Sequence, residues 1–184
     1  MATGLIDPAT TSPVVFSNVN GFLTFYASIL SRVSRSPYEK EIAHRYGQYV
    51  ASSPHPEDEP FLIPELRYAG AETKHKYRLD YSILNSHAME LVGFELSPAS
   101  THMAVSAIKS RTQLDVNREL AEKWAGEMAK RNEYFAQFGI TTITFTDTDL
   151  GDMGSCFAKI EHYLKKRPRS ALSLSAQIEE LQRT

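Results

Sequence analysis

Two carboxylates, Asp80 and Glu95, carry the clearest chemical signal in this chain. Asp80 lies in a run, residues 76–84, where Tyr77, Leu79, Tyr81 and Ile83 alternate with Lys76, Arg78, Asp80 and Ser82. Glu95 lies in residues 89–96, where Val92, Phe94 and Leu96 alternate with Gly93 and Glu95. Alternation with a period of two is the mark of a half-buried strand. With Asn85-Ser-His-Ala88 as the turn, the two runs read as one β-hairpin that brings both acids to the polar face of a sheet. Two like charges held close repel unless a proton or a cation lies between them, so the pair predicts a divalent metal site. The plain alternatives are a salt bridge from Asp80 to Arg78 or Lys76, and an ion-paired Glu95. A glutamate set between Phe94 and Leu96 is costly to bury unless it is paired or coordinated.

Other side chains are placed to join them. Glu39 follows Ser36-Pro37-Tyr38, so it reads first as the glutamate of a capping box. It also shares a helical face with Ile42, Ala43 and Tyr46, which turns it towards the sheet as a third metal ligand. Glu65, beside Pro64, is an alternative. Arg131 falls on a helical stripe with Trp124, Met128 and Phe135, an inward-facing guanidinium suited to a carboxylate or a phosphate. His44, His55, His75, His87 and His162 show no metal-ligand spacing and read as surface, and the single cysteine, Cys156, reads as core. No GxxxxGK[ST] or GxGxxG run occurs, which disfavours nucleotide-hydrolysing and dinucleotide enzymes.

The elements that must position these residues follow from periodicity and punctuation. Residues 1–16, rich in Ala, Thr and Pro, predict a loose arm, followed by an apolar helix over 19–33. A second helix over 36–50 begins at the Ser36-Pro37 cap. A proline-punctuated acidic loop, residues 52–60, leads to a first strand over 61–68, with Pro64 marking an edge or bulge. After the carboxylate hairpin come a long helix over 115–138 ended by Gly139, a β-branched strand over 140–146, a helix over 149–165 and a final amphipathic helix over 172–181. The order predicts an α/β domain, a mixed central β-sheet flanked by helices. It divides into an arm and helix (1–35), a core (36–165) and a C-terminal helix (166–184).

Composition sets the outer limits. The chain has 184 residues, is 42% hydrophobic and 23% charged, and has a formal net charge of −2. Those are the proportions of an ordinary globular protein, with no apolar run near the ~20 residues of a membrane span. A single cysteine and an N-terminus without a signal-peptide pattern predict a cytoplasmic location. Basic residues still cluster locally, at Lys74, Lys76 and Arg78, at Lys109 and Arg111, and at Lys130 and Arg131. A phosphate-binding groove is compatible with an acidic total.

Asp80 in one strand and Glu95 in the next, preceded by a helix with an acid and followed by a helix-Gly-strand unit, resemble the PD-(D/E)XK nuclease-like superfamily over roughly residues 36–165. Tyr77-Arg-Leu-Asp80 and Gly93-Phe-Glu-Leu-Ser97 look like the two halves of its motif. Residues 130–145, Lys-Arg-Asn-Glu-Tyr-Phe-Ala-Gln-Phe-Gly-Ile-Thr-Thr-Ile-Thr-Phe, look like the helix and last strand of small very-short-patch-repair-type members. The resemblance implies a restriction endonuclease-like core, a Mg²⁺ held by Asp80 and Glu95, and DNA as substrate, with RNA second. Ser97 stands where the superfamily has its lysine. Lys109 and Lys76 are the nearest substitutes; Lys76, four residues before Asp80 and roughly 13 Å away along a strand, is the poorer one. His102 follows Glu95 at a spacing similar to the repair-type relatives, and a histidine there can act on a proton near neutral pH. Lys76, Arg78 and Arg131 would contact the nucleic-acid backbone. The alternative reading is a catalytically inactive nuclease-like module that binds nucleic acid or protein, its terminal helices serving self-association or a partner.

Overall fold

The structure is a computed structural model that describes residues 2–6, 9–34, 36–65, 77–85, 88, 90–96 and 112–167. Lys76, His102, Lys109, Ser97 and the expected helix over 172–181 lie outside the described residues.

The chain opens with a two-stranded antiparallel hairpin, β1 (Ala2–Ile6) and β2 (Pro13–Val15), in place of the expected loose arm. Two helices follow, α1 (Val19–Val33) and α2 (Pro37–Ser52). In α1, Asn18 is the N-cap and its side chain accepts from the Gly21 N–H, satisfying one of the orphan donors of the first turn. In α2, Pro37 sits in the first turn, where its missing N–H costs nothing, and Ile42, Tyr46, Tyr49 and Val50 form the buried stripe. The capping box expected at Ser36 and Glu39 does not form, because Ser36 makes no side-chain cap hydrogen bond.

The central sheet has four strands in the order β3 (Phe61–Pro64), β4 (Tyr81–Asn85), β5 (Glu90–Leu96), β6 (Thr141–Phe145). The first three pair antiparallel and β6 joins β5 in parallel, so the sheet is mixed. The parallel connection needs a crossover, which α3 (Gln113–Ala136) supplies. Gly139, at φ 69°, makes the turn back into β6 in the left-handed region that glycine tolerates. The expected hairpin of residues 76–84 and 89–96 is present but shorter in its first arm: β4 begins at Tyr81, and Asp80 lies at a bend before it. The helix expected over 149–165 is broken into a short α4 (Asp147–Leu150) and α5 (Met153–Leu164). The break has a physical cause, since Asp149 accepts from the Thr146 N–H and hydroxyl (2.9 and 2.7 Å) while Asp152 caps α5 by accepting from the Ser155 N–H at 3.1 Å.

Helices cover both faces of the sheet. On one face Phe22, Tyr26 and Leu30 of α1, Ile42 and Tyr46 of α2 and Ile160 and Leu164 of α5 pack on Tyr81, Ile83, Val92, Phe94 and Phe145. Burying each of the larger of these stabilises the fold by about 1.5–3 kcal/mol. Their polar tips are satisfied: Tyr26 Oη donates to the Leu62 carbonyl at 2.8 Å and Tyr46 Oη to the Pro60 carbonyl at 3.1 Å. The opposite face meets α3, where Tyr77, Leu79, Phe135 and Ile140 form a second buried cluster. Gly93 is required there. A Cβ at that position would run into Leu79, meeting its Cδ1 and lying 3.1 Å from Cδ2 and 3.2 Å from Cγ. The face that the sequence marks as polar is therefore an interior layer beneath a helix. No helix among the described residues is long and apolar enough to cross a membrane.

Candidate functional site

The β4–β5 register pairs Tyr81 with Phe94. One step further along the same antiparallel ladder, Asp80 comes opposite Glu95, and alternation turns both towards α3. The backbone holds them there. The Leu96 N–H donates to Asp80 Oδ2 at 2.7 Å, and the Asp80 carbonyl accepts from the Glu65 N–H at 2.9 Å. Glu65 itself adopts φ 49°, a left-handed turn that closes β3 against the bend at Asp80.

Glu95 is 5% exposed and forms an ion pair with Arg131, whose Nη1 meets Glu95 Oε1. The stripe of Trp124, Met128, Arg131 and Phe135, spaced at four, three and four residues, brings that guanidinium down onto the sheet. The Arg131 guanidinium also lies over the Tyr77 ring, 5.6 Å from its centroid, and Tyr77 packs edge-on against Tyr134 at 5.4 Å. Glu39, in the first turn of α2, is half-buried, and Tyr81 Oη donates to its backbone carbonyl at 2.6 Å.

The electrostatics follow from this crowding. Burial, then the charge of Glu95, pushes the Asp80 carboxyl up to about 8; Glu39 pushes the same way, while the Leu96 N–H and Arg131 oppose. Burial raises Glu95 as well, against the pull of Arg131. Glu39 is raised by burial and by Glu65, with the Ser34 hydroxyl and Arg78 opposing. Arg131 favours the ionised form of Glu95, while burial and the neighbouring carboxylates favour the protonated form of both acids, so the two titrate as one interacting pair.

Beside the acids lies a layer of polar atoms without protein partners. Thr144 stands next to Glu95 in the parallel β5–β6 register, and Thr142 next to Gly93. Glu95 Oε2, Arg131 Nε, Ser82 Oγ, Thr142 Oγ1, Thr144 Oγ1 and Trp124 Nε1 are all buried without a hydrogen-bond partner among the described residues. Native interiors leave few such atoms, and a run of them under one helix marks a place where something polar belongs.

The structure thus brings together Asp80, Glu95, Glu39 and Arg131. Arg78 lies at the exposed edge of this group, paired with Glu65 at 3.1 Å and within electrostatic reach of Glu39 and Glu95. Among the described residues no three His, Cys, Asp or Glu side chains are grouped closely enough to cage a metal ion. The donor set offered is two carboxylates, with Glu39 within electrostatic reach. That set suits Mg²⁺, which keeps several waters and commonly takes one or two protein carboxylates. The orphan Glu95 Oε2 fits the same role. Thr142, Thr144 and Tyr77 are site residues that the sequence reading missed. The alternation Thr142, Ile143, Thr144, Phe145 was the available signal, since it sets two threonines on the acid-bearing face. Comparison of the chain with protein-family models, with curated proteins and with solved structures yields no match.

Proposed function

We propose that the protein is a metal-dependent phosphodiesterase acting on DNA, built on a restriction endonuclease-like core, with Asp80 and Glu95 as the metal-binding pair. One observation carries the reading: the buried Glu95 and the partly buried Asp80 come opposite each other at the end of the β4–β5 ladder, with one guanidinium, that of Arg131, paired to Glu95. The order helix, three antiparallel strands, crossover helix, parallel strand supports the resemblance to PD-(D/E)XK nucleases, with Glu95 on the third strand of the sheet and Asp80 at the bend that leads into the second.

Asp80 Oδ2 is fixed by the Leu96 N–H, which leaves its other oxygen to reach the ion, and Glu95 offers Oε2 while Arg131 holds Oε1. Glu39 adds negative charge from α2 and would act on the ion through water, since it is not grouped with the two acids closely enough to ligate it beside them. When bound, a divalent cation supplies Lewis-acid polarisation of the scissile phosphate and a water acidic enough to attack near neutral pH. Arg131 balances the acid pair and presents its remaining donors to a phosphate oxygen. Arg78 and Lys130, both exposed, would track the backbone. Lys109 and His102 are the proposed groups that align the attacking water, in place of the lysine absent at Ser97.

The Arg131–Glu95 pair and the two-carboxylate donor set also favour a second reading, a nuclease-like module that binds nucleic acid without cutting it. Plasmid and single-stranded DNA incubated with Mg²⁺ or Mn²⁺ separate the two. Cleavage by the native chain that is lost in Asp80→Asn, Glu95→Gln supports the enzyme. Equal cleavage by both proteins, or none by either, rules it out.

A further inference from the structure

The layer that holds the acids continues past Thr144 to the carboxyl end of β6, where it opens into a crevice of about 540 Å³. Leu120, Ala121, Trp124 and Ala125 of α3 form one wall, and Thr146 and Asp147 lie on the other. The size falls within the roughly 300–1,000 Å³ of small-molecule pockets, and the carboxyl ends of parallel strands are where open α/β sheets bind ligands. Two features define what fits. The indole of Trp124 gives a broad apolar wall, and the two alanines beside it leave the space in front of it open. Among the described residues no lysine or arginine lines the crevice, and the carboxylate of Asp147 at its rim disfavours a phosphate there.

We propose that this crevice takes one unstacked nucleobase of a single-stranded DNA substrate whose backbone runs over Asp80 and Glu95. The inference rests on the phosphodiesterase reading and names the form of its substrate. Trp124 and Arg131 are seven residues apart on α3, two turns or about 10 Å, so the crevice lies within a nucleotide or two of the acid pair. A base inside a duplex is paired and stacked on both sides, whereas a single strand presents its faces to an aromatic wall at little cost.

Trp124 is the only tryptophan in the chain, so it reports on its own occupancy. The full-length protein in EDTA and low salt is titrated with a short single-stranded oligonucleotide, then with its duplex, while tryptophan emission is followed. Quenching by the single strand that exceeds quenching by the duplex is expected. Ala121→Leu, Ala125→Leu fills the crevice from two exposed positions and leaves the tryptophan intact; it should abolish the quenching. By anisotropy of a labelled strand, Trp124→Ala should weaken binding about 5- to 150-fold, the range of one base–indole stack, and Trp124→Phe should recover most of it. Quenching that persists in the filled variant, or duplex binding equal to single-strand binding, overturns the proposal. Metal-dependent cleavage with unchanged Trp124 emission overturns it too and leaves the phosphodiesterase reading standing. Single-strand quenching without cleavage in any metal supports the pocket and removes the catalytic reading.

Discussion

Replacing Arg131 tests whether the acid layer is held as described. In Arg131→Met the apolar stem stays and the charge goes, so Glu95, 5% exposed, loses its only partnered contact among the described residues. Breaking a buried pair from one side costs about 3–5 kcal/mol. Glu95 can escape part of that by taking up a proton, since burial already raises its affinity for one, and the lower end of the range is therefore expected at neutral pH. For a chain of this size each kcal/mol lowers Tm by about 2–4 °C, so the loss amounts to roughly 6–12 °C. The assay is urea and thermal unfolding in EDTA at pH 7 for Arg131→Met, Glu95→Gln and the double variant. Glu95→Gln alone should cost less than Arg131→Met, because an exposed edge of the guanidinium remains solvated, with the Arg131 side chain 19% exposed. In the double variant most of the Arg131→Met cost should vanish, as the stranded carboxylate is no longer there. A single-variant loss below about 1 kcal/mol, or strict additivity, would refute the pairing.

Two further outcomes follow from the same layer. Asp80 has its folded pKa raised, so the stability it contributes is fully present below its unfolded value near 4 and is lost as pH rises through about 8. Metal-free protein should therefore lose stability from pH 5 to 8, at up to about 1.4 kcal/mol per pH unit from this group, with Glu95 and Glu39 acting in the same direction. Urea midpoints across that range should be flatter for Asp80→Asn, and an equal slope in both proteins would show that Asp80 is not the buried acid. Asp149, held down to about 2 chiefly by the Thr146 N–H, is shifted the other way and acts below this window. At the sheet surface under α3, Gly93→Ala should cost about 1–3 kcal/mol by overpacking against Leu79, and Leu79→Ala in the same chain should recover part of it. Additive losses in a denaturant titration would place the clash elsewhere.

Much of this arrangement was legible in the sequence wherever a pattern had one physical solution. The alternation over residues 81–85 and 90–96 marked the hairpin, though it did not extend back through Tyr77 and Leu79, and the spacing of Trp124, Met128, Arg131 and Phe135 turned Arg131 inward. What sequence could not supply was depth. A polar face normally meets water, and only the α3 crossover makes this one interior, which is why Thr142 and Thr144 passed unnoticed. Tyr77 reads as part of the apolar face with Tyr81 and Ile83, but the chain is not yet a strand there and it packs under α3 instead. Local rules also competed. Ser36-Pro37-Tyr38-Glu39 has the letters of a capping box, yet the reciprocal cap forms instead at Thr146 and Asp149, where no sheet face draws the acid away. The N-terminal residues carry a composition typical of loops and nevertheless pair as β1 and β2, since hairpin pairing depends on a partner strand that local composition does not reveal.

The central claim is that Asp80 and Glu95 hold a divalent cation, and thermal unfolding of the metal-free chain titrated with Mg²⁺ or Mn²⁺ tests it without any knowledge of substrate. A saturating ion at about a hundred times its Kd should stabilise the native chain by about 2.7 kcal/mol, with the effect growing from pH 6 to 8 as the proton on Asp80 yields to the metal. The same titration should leave Asp80→Asn, Glu95→Gln unmoved. An equal shift in that variant, or none in the native chain, would contradict the account.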